Sequence, residues 1–235
     1  MIFNYSAKFI AWLSCLSISI VLVTCTYDPA GQGIEIGPYS FDFPQAYHLE
    51  QHQGIDSYVG IITNDTVNLH FDYGYYSNKL ALSFDEFYER GWWLLDLKHQ
   101  FMKPDTTYDS RNMPKVEVLQ VLIFDQKKTS ANLKENEMLV TCSHEGDTVE
   151  RIVYIPDETL QHNFIVDTIG NYYRKIVVAK DPAIGTTGIY LKNLKTESEN
   201  EMHFKALMIA KTGGITKEEQ ETLIAAFKTV TMSEI

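Results

Sequence analysis

Along this chain the spacing of apolar positions changes character several times, and each change predicts an element. Over 34–44 the sequence reads IEIGPYSFDFP, with Tyr39, Phe41 and Phe43 alternating against Ser40 and Asp42. Period-two alternation predicts one half-buried strand, ended by Pro44. The runs 57–63 and 66–73 are β-rich and meet at Asn64-Asp65, which predicts a hairpin, since Asn and Asp tolerate the tight turn.

The period then becomes helical. Ser83-Phe84-Asp85-Glu86 has the form of a capping box, in which serine and glutamate satisfy each other's unpaired backbone donors at a helix start. Phe84, Phe87, Tyr88, Gly91, Leu94, Leu95, Phe101 and Met102 share one helical stripe, so a helix is expected over 83–103, closed by Pro104. Trp92, Trp93 and Leu97 fall off that stripe. Either the helix is covered on two sides or Gly91 ends it early and WWLLDLK is a strand; we take the single long helix.

Beyond it, 116–124, 138–144, 151–155, 163–168, 172–179, 188–194 and 202–210 are short β-rich runs divided by polar clusters such as KTESENE, the pattern of an antiparallel meander. Thr216-Lys217-Glu218-Glu219 is a second capping box, opening a helix over 216–230 with Leu223, Ile224, Phe227 and Val230 on one stripe. The expected fold class is therefore α+β: an antiparallel sheet of about 6–9 strands flanked by two main helices, 83–103 and 216–230, in one domain over 34–235.

Preceding that domain, 9–23 holds only apolar and small hydroxyl residues, with Lys8 the one charge before it. This is shorter than the roughly 20 residues of a membrane span and suits the apolar core of a secretory signal peptide over 1–24. The run ends in Leu22-Val23-Thr24-Cys25, which resembles the lipobox of bacterial lipoproteins. The resemblance implies that Cys25 is acylated and becomes the first mature residue, that the turn-rich 25–33 is a tether, and that the protein sits in the cell envelope. The order of elements in the domain resembles the α/β/α sandwiches of the Mog1 and PsbP type; that likeness is architectural and implies no active site.

Charge narrows the partners. The chain carries a net charge of −11, and loss of 1–24 removes one lysine and no acid, giving −12. Such a body repels phosphate backbones and anionic headgroups, so nucleic acid is not an expected partner and membrane attachment falls to the lipid. Without Cys15 and with Cys25 acylated, Cys142 stands alone in an alternating run and is expected to be a small buried residue.

No catalytic motif emerges. His48 and His52 are four apart with an acid between, but the order is not His-Glu-x-x-His, so no metal site is expected there. Lys211-Thr212-Gly213 resembles a strand motif of penicillin-recognising enzymes, yet no Ser-x-x-Lys partner exists in the mature chain. Ser57 lacks the glycines of a nucleophile elbow, and the glycine loop at 181–188 lacks the lysine and helix that phosphate needs. No cofactor is expected.

Rings and acids do concentrate. Tyr58, Tyr73, Tyr75 and Tyr76, with Trp92, Trp93, Asp56 and Asp72, lie within about 40 residues, and Tyr and Trp join apolar area to a polar tip. They are candidates for a binding groove; the plainer expectation is that the rings fill the core. Two function classes follow. One is an envelope lipoprotein with a non-catalytic binding or structural role, its partner a small ligand or another envelope protein. The other is an envelope hydrolase, for example glycosidase-like, using Asp56 and Asp72 as a carboxylate pair.

Overall fold

The computed structural model describes residues 31–54, 56–103, 113–124, 133–194 and 205–233. The signal peptide over 1–24, Cys25 and the tether as far as residue 30 lie outside the described residues.

The alternating run that opens the domain makes two strands. β1 (Gln32–Ile36) and β2 (Tyr39–Phe43) pair antiparallel, Ile34 opposite Phe41 and Ile36 opposite Tyr39. The turn between them requires Gly37, which has φ +59° and would drive a Cβ to 2.5 Å from the Tyr73 ring. There follow β3 (His48–Gln53), β4 (Ser57–Thr63), β5 (Asn68–Gly74), α1 (Phe84–Arg90), α2 (Trp92–His99), β6 (Glu117–Ile123), β7 (Glu137–His144) and β8 (Asp147–Tyr154). The chain continues through α3 (Asp157–Leu160), β9 (His162–Ile169), β10 (Tyr172–Ala179), β11 (Thr186–Asn193), β12 (Ala206–Thr212), α4 (Lys217–Lys228) and β13 (Thr231–Met232).

These strands form three antiparallel sheets. The largest has the order β3-β4-β5-β12-β11-β10-β9, a second is β6-β7-β8, and β13 joins β1-β2 in a third. One face of the large sheet offers Leu69, Phe71, Ile176, Ile189, Leu207 and Ile209, and these bury against Phe41, Phe43, Leu223 and Phe227 of β2 and α4. At about 1.5–3 kcal/mol per buried Leu, Ile or Phe, this packing rather than helix propensity holds the 12-residue α4. A separate core joins Phe87, Trp93 and Leu97 of α1 and α2 to Met138, Val140, Cys142 and Val153 of the second sheet.

The expectation of an α+β fold with one sheet between two main helices is overturned. Mostly antiparallel β-structure in three sheets, with four short helices among the described residues, takes its place. Two local causes account for this. First, Gly91 takes the left-handed conformation (φ +66°) and its N–H caps Tyr88 O, so the expected helix over 83–103 divides into α1 and α2. Second, β6, β7 and β8 pair with one another instead of entering the large sheet, whose missing neighbour for β5 is supplied by β12.

The two cores are tied by one buried ion pair. In the capping box of α1, the Ser83 Oγ accepts from Glu86 N at 3.2 Å and Glu86 Oε2 accepts from Ser83 N at 2.9 Å. The same carboxylate accepts from Lys175 Nζ of β10 at 2.9 and 3.0 Å and from the Tyr173 hydroxyl at 3.2 Å. Lys175 is 0% exposed and gives a further bond to Ala81 O at 3.1 Å. Burial pushes the Glu86 carboxyl up, but the Ser83 N–H, Lys175 and Tyr173 together hold it below its ordinary value. Burial pulls the Lys175 ammonium below its ordinary value against the attraction of Glu86.

Two outcomes follow. Gly91→Ala meets only Leu94 Cδ1 at 3.4 Å, so its cost is backbone strain, about 1–2 kcal/mol, read as a lowered urea midpoint at constant slope. A carboxylate with a depressed folded-state pKa contributes stability that is present above its unfolded value, 4.5 here, and lost as pH falls through the folded value. Urea titrations of Glu86→Gln should therefore show a loss at pH 7 that shrinks below pH 4.5; an equal loss at both pH values would show that the charge of Glu86 is not what is lost.

Candidate functional site

The end of the large sheet where β4 begins and β5 ends brings several of the expected residues together. Register decides which. Tyr58 of β4 stands opposite Tyr73 of β5, and Tyr73 opposite Leu207 of β12. Continuing that ladder outward sets Lys205 across from Tyr75, and its ammonium lies 5.4 Å from the Tyr73 ring centroid and 5.9 Å from that of Tyr75. Cation–π attraction of this kind is worth about 0.5–1 kcal/mol at exposed sites.

The rings differ in how far they are embedded. Tyr58 packs on Phe71 at 5.6 Å, and Tyr73 meets Tyr39 edge-on at 6.0 Å beneath the β1–β2 turn. Burial, followed by the neighbouring Tyr172 and Tyr75, raises the Tyr73 hydroxyl pKa, so it stays protonated. Tyr75 is 42% exposed and Tyr76 73%. Both sit in the turn after β5, which Ser77 holds. Its Oγ lies 2.7 Å from Ala206 O and accepts from Gly74 N at 3.1 Å, pinning the turn to the start of β12 beside Lys205.

An open cavity of about 590 Å³ occupies this end of the sheet, lined by Gln51, His52, Gly54, Asp56, Ser57, Tyr58 and Lys205. Its volume falls within the range usual for small-molecule sites, about 300–1,000 Å³. The lining offers a carboxylate acceptor, an ammonium donor, and the amide, imidazole and hydroxyl groups that can do either.

Asp72 does not share it. It pairs with Val59 and Met208, and alternation along the strand turns it to the face opposite Tyr58 and Tyr73. There its Oδ1 is buried without a hydrogen-bond partner. Asp56 stands instead in the bend before β4, exposed on the cavity wall. Trp93 is 4% exposed in the second core, its indole N–H bonded to Tyr88 O at 3.0 Å, whereas Trp92 is 57% exposed with the Arg90 guanidinium 5.1 Å over its ring. Among the described residues no group of three or more His, Cys, Asp or Glu side chains is placed to hold a metal ion.

Gln51, Ser77 and Lys205 are the site residues that the sequence does not single out. A signal existed for Lys205, which alternates with Leu207 and Ile209, but its meaning depends on β12 lying against β5. Compared with family models and with curated proteins, the chain matches none.

Exposure separates the rings by what their removal should do. Tyr75→Ala and Tyr76→Ala are expected to leave the thermal midpoint nearly unchanged, whereas Trp93→Ala should cost about 3–5 kcal/mol. Thermal melts of the three variants check this, and a loss of that size at Tyr75 would make it a core residue instead of a contact surface.

Proposed function

We propose that the protein is a cell-envelope lipoprotein, anchored through acylated Cys25, whose folded domain works by binding and not by catalysis. The anchor provides the membrane association, and the partner is a small ligand or another envelope component. Nucleic acid is an unfavourable partner for a chain of net charge −11.

One observation supports binding most directly: groups of opposite charge and mixed hydrogen-bonding character converge on an open cavity beside an exposed ring. Lys205 is held over Tyr73 and Tyr75 while Asp56, Ser57, Gln51 and His52 line the same space. Such a set fixes the orientation of a ligand through several moderate contacts. The leader supports the location, because a short apolar run ending at Leu22-Val23-Thr24-Cys25 resembles a lipoprotein processing site.

Metabolic labelling with radioactive palmitate tests the anchor. The natural chain should be labelled and pellet with membranes, and Cys25→Ser should lose the label and the pelleting together. If Cys25→Ser remains acylated, the anchor lies elsewhere and the reading fails.

A further inference from the structure

We propose that His162 is an acid-released latch: while neutral, its ring ties α3 to the first residue of β11, and protonation at Nε2 frees that residue and loosens the turn over 181–185 from Gly213 and Gly214.

Hydrogen-bond chemistry fixes the state of the ring. His162 opens β9, is 7% exposed, and has both ring nitrogens engaged. Nδ1 lies 2.6 Å from Glu158 O of α3. A carbonyl oxygen only accepts, so Nδ1 carries the proton there. Nε2 lies 3.1 Å from Thr186 N, a backbone N–H that only donates, so Nε2 must offer its lone pair. Only the neutral Nδ1–H tautomer makes both bonds.

Protonation acts in opposite senses at the two nitrogens. At Nδ1 the bond to Glu158 O becomes charge-assisted and strengthens. At Nε2 the new N–H confronts the Thr186 N–H, donor against donor, and that bond is lost. The ring therefore stays with α3 and lets go of β11. Histidine is the residue type whose charge changes between about pH 5 and 8, so mild acid is the trigger.

What Thr186 holds follows from its place in the chain. It is the first residue of β11 and closes the turn that leaves β10. Inside that turn Gly185 N donates to Asp181 O at 2.9 Å, and Ala183 N donates to the Asp181 carboxylate at 3.0 Å. The turn is in contact with the start of the β12–α4 connection, where Gly213 N donates to Gly185 O at 2.8 Å and Gly214 N to Ala183 O at 2.9 Å. Gly185 directly precedes Thr186, so release of Thr186 passes straight to the Gly213 bond.

The charged groups around the ring come from three segments. A cavity of about 320 Å³ between α3 and the turn is lined by Glu135, Asp157, Lys180 and Asp181 together with Gln161 and Gly185, the neighbours in sequence of His162 and Thr186. Glu158 adds a further carboxylate on α3. Among the described residues the carboxylates attract an imidazolium and Lys180 repels it. Lys211 of β12 pairs with Thr187, whose hydroxyl accepts from Gln220 of α4, so it belongs to the other face of the sheet.

Hydrogen exchange read by NMR on the full chain in detergent, with rates corrected for their intrinsic pH dependence, tests the latch together with the nitrogen spectrum of the histidine ring. At about pH 7.5 His162 should show the Nδ1–H tautomer and the Thr186 amide should be protected. By about pH 5 the ring should be protonated and the protection of Thr186 and Gly213 should fall about tenfold or more, with Ile189 in the middle of β11 unchanged. His162→Gln keeps a side-chain donor and acceptor but does not titrate, and should give the same Thr186 protection at both pH values.

A Thr186 amide that stays protected at about pH 5 beside a protonated ring overturns the latch, as does a ring still neutral there or an Nε2–H tautomer at about pH 7.5. A pH-dependent loss at Thr186 that persists in His162→Gln overturns it too. If His162→Gln does not fold, ring titration and Thr186 exchange in the natural chain must still run together with pH, and their separation is the contrary result.

Discussion

The ion pair between Lys175 and Glu86 is the contact on which the rest of the arrangement depends. It joins β10, the strand next to the edge of the large sheet, to the first turn of α1, and α1 in turn is packed into the core with the second sheet. A fully buried ammonium is tolerated only with a counter-charge and further acceptors, and the carboxylate and Ala81 O supply them. Glu86 thereby serves two functions, capping the start of the helix by accepting from Ser83 N and fixing that helix on the sheet. Replacing Glu86 leaves the Lys175 ammonium buried without its counter-charge, so the pair couples the position of the helix to the sheet.

The candidate site depends on a different constraint, the seam between β5 and β12. Only because these strands pair does Lys205 come to lie over Tyr73 and Tyr75, and only because Ser77 reaches Ala206 does the exposed turn stay beside it. Gly37 sets the other boundary, since a side chain there would displace the Tyr73 ring on which this end of the sheet closes.

Local features of the fold were legible in the sequence, and pairings between distant segments were not. The β4–β5 hairpin follows from alternation about Asn64-Asp65, and the start of α4 from a capping box that is present in the structure, with Glu219 Oε2 accepting from Thr216 N at 2.7 Å. Gly91 carries the information that divides the expected long helix, but a glycine on an apolar stripe reads equally as a packing residue until its φ is known. In the opening run, Gly37-Pro38 sits inside a regular alternation that persists on both sides of the turn, so one strand and two strands give the same pattern. Tyr58, Tyr73, Tyr75 and Asp56 gather at one end of the sheet, as a tyrosine-rich hairpin suggests, whereas Asp72 is separated from them by the alternation of its own strand. Which strands share a sheet is a long-range property, and nothing in the composition of β6 to β8 distinguishes them from β9 to β12.

That seam also sets the order in which the molecule can assemble. Ser77 and Ala206, which bond across it, are 129 residues apart in the chain. During synthesis β5 emerges long before its partner and remains an open strand edge while β6 to β11 are made, so the large sheet is completed among the last events of folding. Closing so long a loop is slow compared with forming hairpins, and an unpaired edge is exposed to association with other chains in the interval. The large sheet can close only once the whole length is available and β12 can pair with β5.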